Sequence, residues 1–249
     1  MKIATLNLRH DVDRWEERRS LVVNALADED ADIIALQEVA LTSPQAQQIE
    51  DGLRELGIRY TSLVAPKWQD KPREGIAIFV RGNLLQYEHV NLPEGNRIAQ
   101  RVQIEIDGYY VNAVNVHLHH RPRDSEVIRL RQMRYLLDWM RSRADSNWFL
   151  AGDFNALPES ETLQIATTWL KSSHLVMHGF EPITHPTPLN PDREPGMSLS
   201  IDYVLYDPET FRLTNAYRFA DNSHQNDKTL YPSDHFGVVA CFEPLISGV

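Results

Sequence analysis

The chain has 249 residues, 42% hydrophobic and 24% charged, which fits one large globular domain or two small ones and excludes a disordered chain. Its 35 acidic residues outnumber 25 Lys and Arg, for a formal net charge of −10, which argues against a broad basic surface for tight duplex binding. The one cysteine, Cys241, rules out an intramolecular disulfide framework and a cysteine-built zinc site, and it fits a reducing cytoplasm. The opening Met1 to Leu8 turns polar at Arg9, His10, Asp11 and Asp13 before an apolar signal region forms. Nowhere do about 18 apolar residues run uninterrupted. The expectation is a soluble, cytoplasmic, monomeric protein without an integral membrane segment.

In chain order, β-branched runs bounded by turn residues predict strands at 3–8, 33–36, 76–80, 102–106, 110–117, 148–151, 201–206 and 236–242. Between them, Arg14 to Asp28 reads as an amphipathic helix with Trp15, Leu21, Val22, Ala25 and Leu26 on one stripe, and Pro44 to Leu56 as a weaker one. A third helix begins after Pro122, capped by Asp124 or Ser125, and carries Val127, Leu130, Met133, Leu136, Leu137 and Met140 at helical spacing to about Arg141. Two polar or proline-rich stretches, Thr184 to Met197 and Ala220 to Pro232, each lead into an Asp-containing strand end. That is where active-site loops sit on a rigid scaffold. No repeat or linker divides the chain, so a single sheet-rich α/β domain over 1–249 is expected.

Five segments carry chemistry. Ala35 to Val39 is an apolar strand that ends in Glu38, an oxygen donor suited to a hard divalent cation. Phe149 to Asn155 ends a strand in Asp153, with Asn155 on the same side and Gly152 allowing close backbone approach. Tyr231 to Gly237 contains Asp234 beside His235, a ligand and a proton-handling group on opposite sides of an extended chain. Asp202 stands among apolar residues in Ser200 to Leu205 and needs a partner, which an oriented histidine supplies. Val114 to His120 ends in His117, His119 and His120, and Glu74 precedes another strand, placed to pair with His117. A zinc reading of the three histidines lacks the companion His-Glu-x-x-His spacing.

Seven motifs in order resemble the endonuclease/exonuclease/phosphatase superfamily, with its deoxyribonuclease I-like fold. They are Thr5-Leu6-Asn7, Leu36-Gln37-Glu38-Val39, Glu74-Gly75-Ile76-Ala77-Ile78, Asn115-Val116-His117-Leu118, Gly152-Asp153-Phe154-Asn155, Ile201-Asp202-Tyr203 and Ser233-Asp234-His235, and the likeness runs from Lys2 to about Cys241. The resemblance implies an α/β (α+β) four-layer sandwich of two packed mixed β-sheets flanked by helices. It implies Glu38 as the principal Mg²⁺ or Mn²⁺ ligand, with Asn7 and Asp234 at the same cation. Asp153 orients the attacking water, Asn155 donates to a phosphate oxygen, His235 is held by Asp202, and His117 is supported by Glu74. The division of acid and base between the two histidines stays open.

Arg97 and Arg101 flank the strand before the histidine strand, where a guanidinium reaches a phosphate or forms a surface ion pair. Seven Arg between Arg121 and Arg143 give one locally basic helix, which is a solvated face or a steering element. Leu6 stands where many members have Trp or Tyr, and no basic insertion for gripping duplex DNA is present. The implied function is a metal-dependent phosphodiesterase or phosphatase, its substrate a small phosphodiester, a lipid or sugar phosphate, or short or single-stranded nucleic acid. Trp68 is the one candidate for membrane contact. The competing readings are a catalytically silent member of the fold that binds a phospholigand or partner, and a zinc hydrolase built on His117, His119 and His120.

Overall fold

In the computed structural model, residues 1–67, 70, 72–120, 125–143, 145–190 and 194–245 are described. The expectations on Trp68, Asp124, Arg121 and Arg123 lie outside them. The strands are β1 (Lys2–Asn7), β2 (Ile33–Ala40), β3 (Thr61–Pro66), β4 (Glu74–Val80), β5 (Asn83–Asn91), β6 (Ile98–Ile106), β7 (Tyr109–His117), β8 (Trp148–Asp153), β9 (Lys171–Ser172), β10 (Asp202–Tyr206), β11 (Phe211–Phe219) and β12 (Gly237–Pro244). The helices are α1 (Trp15–Glu29), α2 (Gln45–Glu55), α3 (Glu126–Arg141), α4 (Glu161–Ala166) and α5 (Ser173–His178).

Two six-stranded mixed sheets form, in the orders β11-β12-β1-β2-β4-β3 and β5-β6-β7-β8-β10-β9. Between them lies an apolar layer in which Ile3, Ile33, Ala35 and Ile78 of one sheet meet Val102, Val111, Phe149 and Val204 of the other. The outer face of the first sheet packs under α1 and α2 through Val22, Leu26, Ile49 and Leu53, and that of the second under α3 and α4 through Met133, Leu136, Met140 and Leu163. Fully burying each such Leu, Ile or Phe side chain contributes roughly 1.5–3 kcal/mol. The result is the expected four-layer sandwich.

The eight expected strands all form, each shifted or extended by a few residues. β3, β5, β9 and β11 form beyond them, as do α4 and α5. The missed long strands are wet: every residue of β5 is exposed or half-exposed, so its apolar signal is diluted. On α1 the buried stripe is Trp15, Arg18, Val22, Val23 and Leu26. An arginine therefore takes a place that hydrophobic spacing assigns to an apolar residue.

Each sheet contains one parallel pair, β1 with β2 and β7 with β8, and these pairs end on the same side of the sandwich. β10 runs antiparallel to β8, starting with Asp202 opposite Asp153, while His117 stands opposite Asp153 on its other side. The register thus lines up His117, Asp153 and Asp202 in one row. Gly152 permits this packing: its φ is +143°, and an added Cβ would fall 2.0 Å from the Val116 carbonyl oxygen.

Candidate active site

The strand ends open into a cavity of about 720 Å³ lined by Glu38, Asp153, Asn155, Asp234 and His235, and also by Arg9, His10, Lys67, Glu74 and His185. Glu38 is aimed by a β-bulge: the β2–β4 register slips between Leu36 and Val39, and Glu38 sits at φ 49° with its side chain one-quarter exposed.

Asp153 is buried at the centre. Its Oδ2 accepts from Asn7 Nδ2 at 2.9 Å, and its Oδ1 accepts from the Asn155 backbone N–H at 2.8 Å. Burial, reinforced by the neighbouring Asp202 charge, holds its carboxyl well above the usual carboxylate range. The Asn155 side chain makes a long bond, 3.3 Å, from Nδ2 to the Leu118 carbonyl.

The two histidines differ in charge. His235 Nδ1 donates to Asp202 Oδ2 at 2.9 Å. Burial by itself would depress its pKa, but Asp202 and Asp234 outweigh that and raise it to about 10, so His235 is an imidazolium at neutral pH. His117 Nδ1 accepts from Arg97 Nη1 at 3.0 Å, because a guanidinium has only donors. Its proton therefore sits on Nε2, which is buried without a hydrogen-bond partner, 3.5 Å from Asp153 Oδ2 and 3.9 Å from Glu38 Oε1. Burial and the Arg97 charge push the His117 pKa far down, leaving a neutral ring.

The expected roles of Glu74, Arg97 and Arg101 change here, Arg97 being buried and bonded to His117 and His120 outside the cavity lining. Glu74 lies 3.7 Å from His117 Nδ1, too far for a hydrogen bond. It is instead bonded to His10 Nε2 at 2.5 Å and paired with Lys67, so Arg97, not Glu74, fixes the His117 ring. Burial opposes the Glu74 charge, but His10 and Lys67 outweigh it and hold the carboxyl down at about 2. Arg101 is turned away from the cavity, donating to Asn112, Glu88 and Asp145 beside Trp148, so it is a packing residue and not a phosphate ligand. Asp234 Oδ2 accepts from Arg9 Nη1 at 2.8 Å and lies 3.5 Å from His185 Nε2. Although burial raises its pKa, His235, His185 and Arg9 bring it down to about 2.

The donors suit a hard cation: Glu38, Asn7, Asp153, Asn155 and Asp234 all offer oxygen, and the orphaned His117 Nε2–H faces two of these carboxylates. Among the described residues, two groups set three ligand atoms within 4.8 Å, His185–Asp234–His235 and Asp153–Asp202–His235. His117, His119 and His120 do not form such a group, which removes the basis of the zinc reading.

Arg9, His10, Lys67 and His185 escape sequence reasoning. Arg9 and His10 follow directly on a strand end, the same signal that marks Glu38. His185 belongs to the proline-rich loop before Asp202, its ring 4.6 Å from that of His235. Lys67, just past β3, carries no local signal.

Residues 4–235 match the Endonuclease/Exonuclease/phosphatase family. The chain belongs to this family. Among curated relatives, Nocturnin of Drosophila melanogaster is 26% identical over a 280-residue alignment that covers 93% of this chain and 42% of that protein, so the chain spans less than half of its length. The human Nocturnin catalytic domain with bound sulfate anion is 22% identical with a TM-score of 0.77, covering 98% of this chain and 93% of that one. A humanized TDP2 of D. rerio is 17% identical with a TM-score of 0.79, covering 98% of each chain. These likenesses establish the endonuclease/exonuclease/phosphatase fold. Among the described residues no helix is long and apolar enough to cross a membrane.

Proposed function

We propose that this family member is a divalent-metal-dependent hydrolase of phosphate esters, acting on phosphodiesters in the cavity at the strand ends. The observation that carries this reading is the meeting there of the oxygen donors Glu38, Asp153, Asn155 and Asp234 with His235, the buried His117 Nε2 lying behind them 3.5 Å from Asp153 Oδ2. Phosphodiester hydrolysis is limited by the negative charge of the phosphate, so placement and electrostatics do most of the work. All the acidic and histidine groups such chemistry needs are present together, which disfavours a silent binding role.

Glu38, with Asn7 and Asp234 beside it, would hold Mg²⁺ or Mn²⁺, and the cation supplies charge neutralisation at the phosphate oxygens. Asp153, kept basic by its shifted pKa and oriented by Asn7, takes the proton of the attacking water as its oxygen bonds to phosphorus. The His235 imidazolium, anchored by Asp202, gives a proton to the departing ester oxygen as its bond to phosphorus breaks. His117 offers its Nε2–H to a non-bridging oxygen, and Asn155 donates to another. Arg97 does not contact the phosphate in this scheme; it fixes the His117 tautomer. The sulfate held by the human Nocturnin catalytic domain is a tetrahedral oxyanion of the kind this chemistry binds.

The cavity and the net charge of −10 favour a small phosphodiester or the end of a single strand over long duplex DNA. The test is turnover of bis(p-nitrophenyl) phosphate and of the monoester p-nitrophenyl phosphate with Mg²⁺, Mn²⁺, Zn²⁺ or EDTA. Glu38→Ala serves as control. Metal-dependent diester cleavage lost in Glu38→Ala is expected; metal-independent cleavage, or silence on these esters and on nucleotide, oligonucleotide and phospholipid substrates, overturns the proposal.

A further inference from the structure

The loop joining β1 to α1 is held in a conformation its residues do not choose alone. Arg9, His10, Asp13 and Arg14 have φ of 54°, 51°, 49° and 67°, a region that side-chain-bearing residues enter routinely only when the surroundings hold them there. What holds the first three is Arg18. Its fully buried guanidinium makes seven hydrogen bonds, all to backbone carbonyls: Nη1 to Leu8 (2.8 Å) and Pro232 (2.9 Å), Nη2 to Arg9 (3.1 Å), His10 (2.7 Å) and Val12 (2.9 Å), and Nε to Val12 (3.4 Å) and Asp13 (3.1 Å). It also lies over the Trp15 ring at 5.0 Å. Arg18 thereby ties the β1–α1 loop to the residue that precedes Ser233, Asp234 and His235.

The product of this clamp is the position of Arg9. Its backbone N–H donates to Asn7 Oδ1 at 2.9 Å, its Nε pairs with Asp13, and its Nη1 donates to the buried Asp234. The Arg9 side chain is one-quarter exposed and lines the cavity. A guanidinium has five N–H groups, and two of Arg9's are used. The other three make no hydrogen bond to the described residues, although the group is fixed by carboxylates at two of its nitrogens. A planar donor fork held in this way is suited to phosphate oxygens, since its orientation is set before the ligand arrives.

We infer that Arg9 is a substrate-contacting residue that takes a non-bridging phosphate oxygen, and that Arg18 is a positioning residue acting through it. The inference rests on the phosphate-ester reading above.

The experiment compares wild type, Arg9→Gln, Arg9→Lys, Arg18→Met and the double variant Arg9→Gln/Arg18→Met. It measures kcat and KM for bis(p-nitrophenyl) phosphate, inhibition by inorganic phosphate, and the Mg²⁺ concentration for half-maximal rate. Loss of a charge-stabilising donor lowers kcat by roughly 10²-fold, and this is expected for Arg9→Gln at saturating Mg²⁺, with weaker inhibition by phosphate and Mg²⁺ dependence within twofold of wild type. Arg9→Lys falls between. Arg18→Met is expected to lower kcat, and the double variant to fall no further than Arg9→Gln, because residues acting through one another are not additive.

An Arg9→Gln rate within threefold of wild type overturns the inference. So does a loss that excess Mg²⁺ restores with phosphate inhibition unchanged, since Arg9 would then only trim the cation site. Multiplying losses in the double variant overturn the Arg18 limb, for which Arg18→Lys substitutes if Arg18→Met does not fold. If wild type hydrolyses no ester, the phosphate-ester reading fails separately, and calorimetric titration with inorganic phosphate decides for Arg9: weaker binding to Arg9→Gln supports it, equal or absent binding in both proteins overturns it.

Discussion

Asn115 is a polar tie between the two sheets. It is fully buried on β7, and its Nδ2 donates to the Leu36 carbonyl at 3.0 Å and the Ala77 carbonyl at 2.9 Å, while its Oδ1 accepts from Gln37 Nε2 at 2.8 Å. Leu36 and Ala77 are the last register pair before the β2–β4 slip that aims Glu38. Replacing Asn115 by Leu keeps the branching and heavy-atom count of the side chain and strands both carbonyls, whereas Gln37 Nε2 keeps Thr5 Oγ1 at 3.0 Å. Each buried group left unpaired costs about 1–3 kcal/mol, so Asn115→Leu should destabilise by roughly 2–5 kcal/mol. For a chain of this size that lowers Tm by roughly 4–20 °C, at about 2–4 °C per kcal/mol. Asn115→Asp should be worse, because it sets a carboxylate against two carbonyls. Thermal and urea unfolding measure both, and kcat should fall in the folded fraction as the Glu38 bulge relaxes. A Leu variant within about 1 kcal/mol of wild type, with unchanged kinetics, refutes this reasoning.

Arg101→Met should cost about 1–3 kcal/mol, chiefly by taking two donors from the buried Asn112 Oδ1, because Glu88 keeps Arg143 and Asp145 is partly solvated, with kcat/KM of the folded protein unchanged; urea titration beside steady-state kinetics checks both. Gly152→Ala should prevent stable folding, read as lost soluble expression or Tm, since its Cβ has no room against the Val116 carbonyl. His174 is buried, and burial followed by His178 depresses its pKa to about 4. The unfolded chain then binds the extra proton first, so stability is intact above about pH 6.5 and is lost as pH falls towards 4, by at most about 2 kcal/mol at pH 5. Urea titrations at pH 7 and 5 should show this pH-dependent difference between wild type and His174→Gln; a constant difference contradicts it.

The legible part of the fold is the part whose strands are dry. β1, β2, β4, β7, β8, β10 and β12 are apolar runs between turn residues, and their ends carry Asn7, Glu38, His117, Asp153, Asp202 and, just before β12, Asp234 and His235. β5 and β11 are half solvated, and a strand that alternates polar residues on its wet face looks like a loop when read alone. Site residues were legible where a polar group breaks an apolar run. Which way a guanidinium turns was not: Arg97 meets His117, whereas Arg101, four residues on, meets Asn112 and Glu88 on the far side. The Glu74 pairing failed for a related reason. Its partner His10 comes from the β1–α1 loop, which only the assembled sheet brings to Glu74, and Lys67 continues the ladder of β3, a strand with no apolar signal of its own. Arg18 was concealed by the helical pattern itself, where a buried stripe is read as apolar.

The most direct measurement is titration of the metal-free protein with Mn²⁺, followed by electron paramagnetic resonance while diester cleavage is recorded in the same samples. Bound Mn²⁺ and turnover should rise together in wild type, and both should disappear in Glu38→Ala at an unchanged Tm. Cleavage without metal, or full cleavage in Glu38→Ala, would contradict metal-dependent hydrolysis at this cavity.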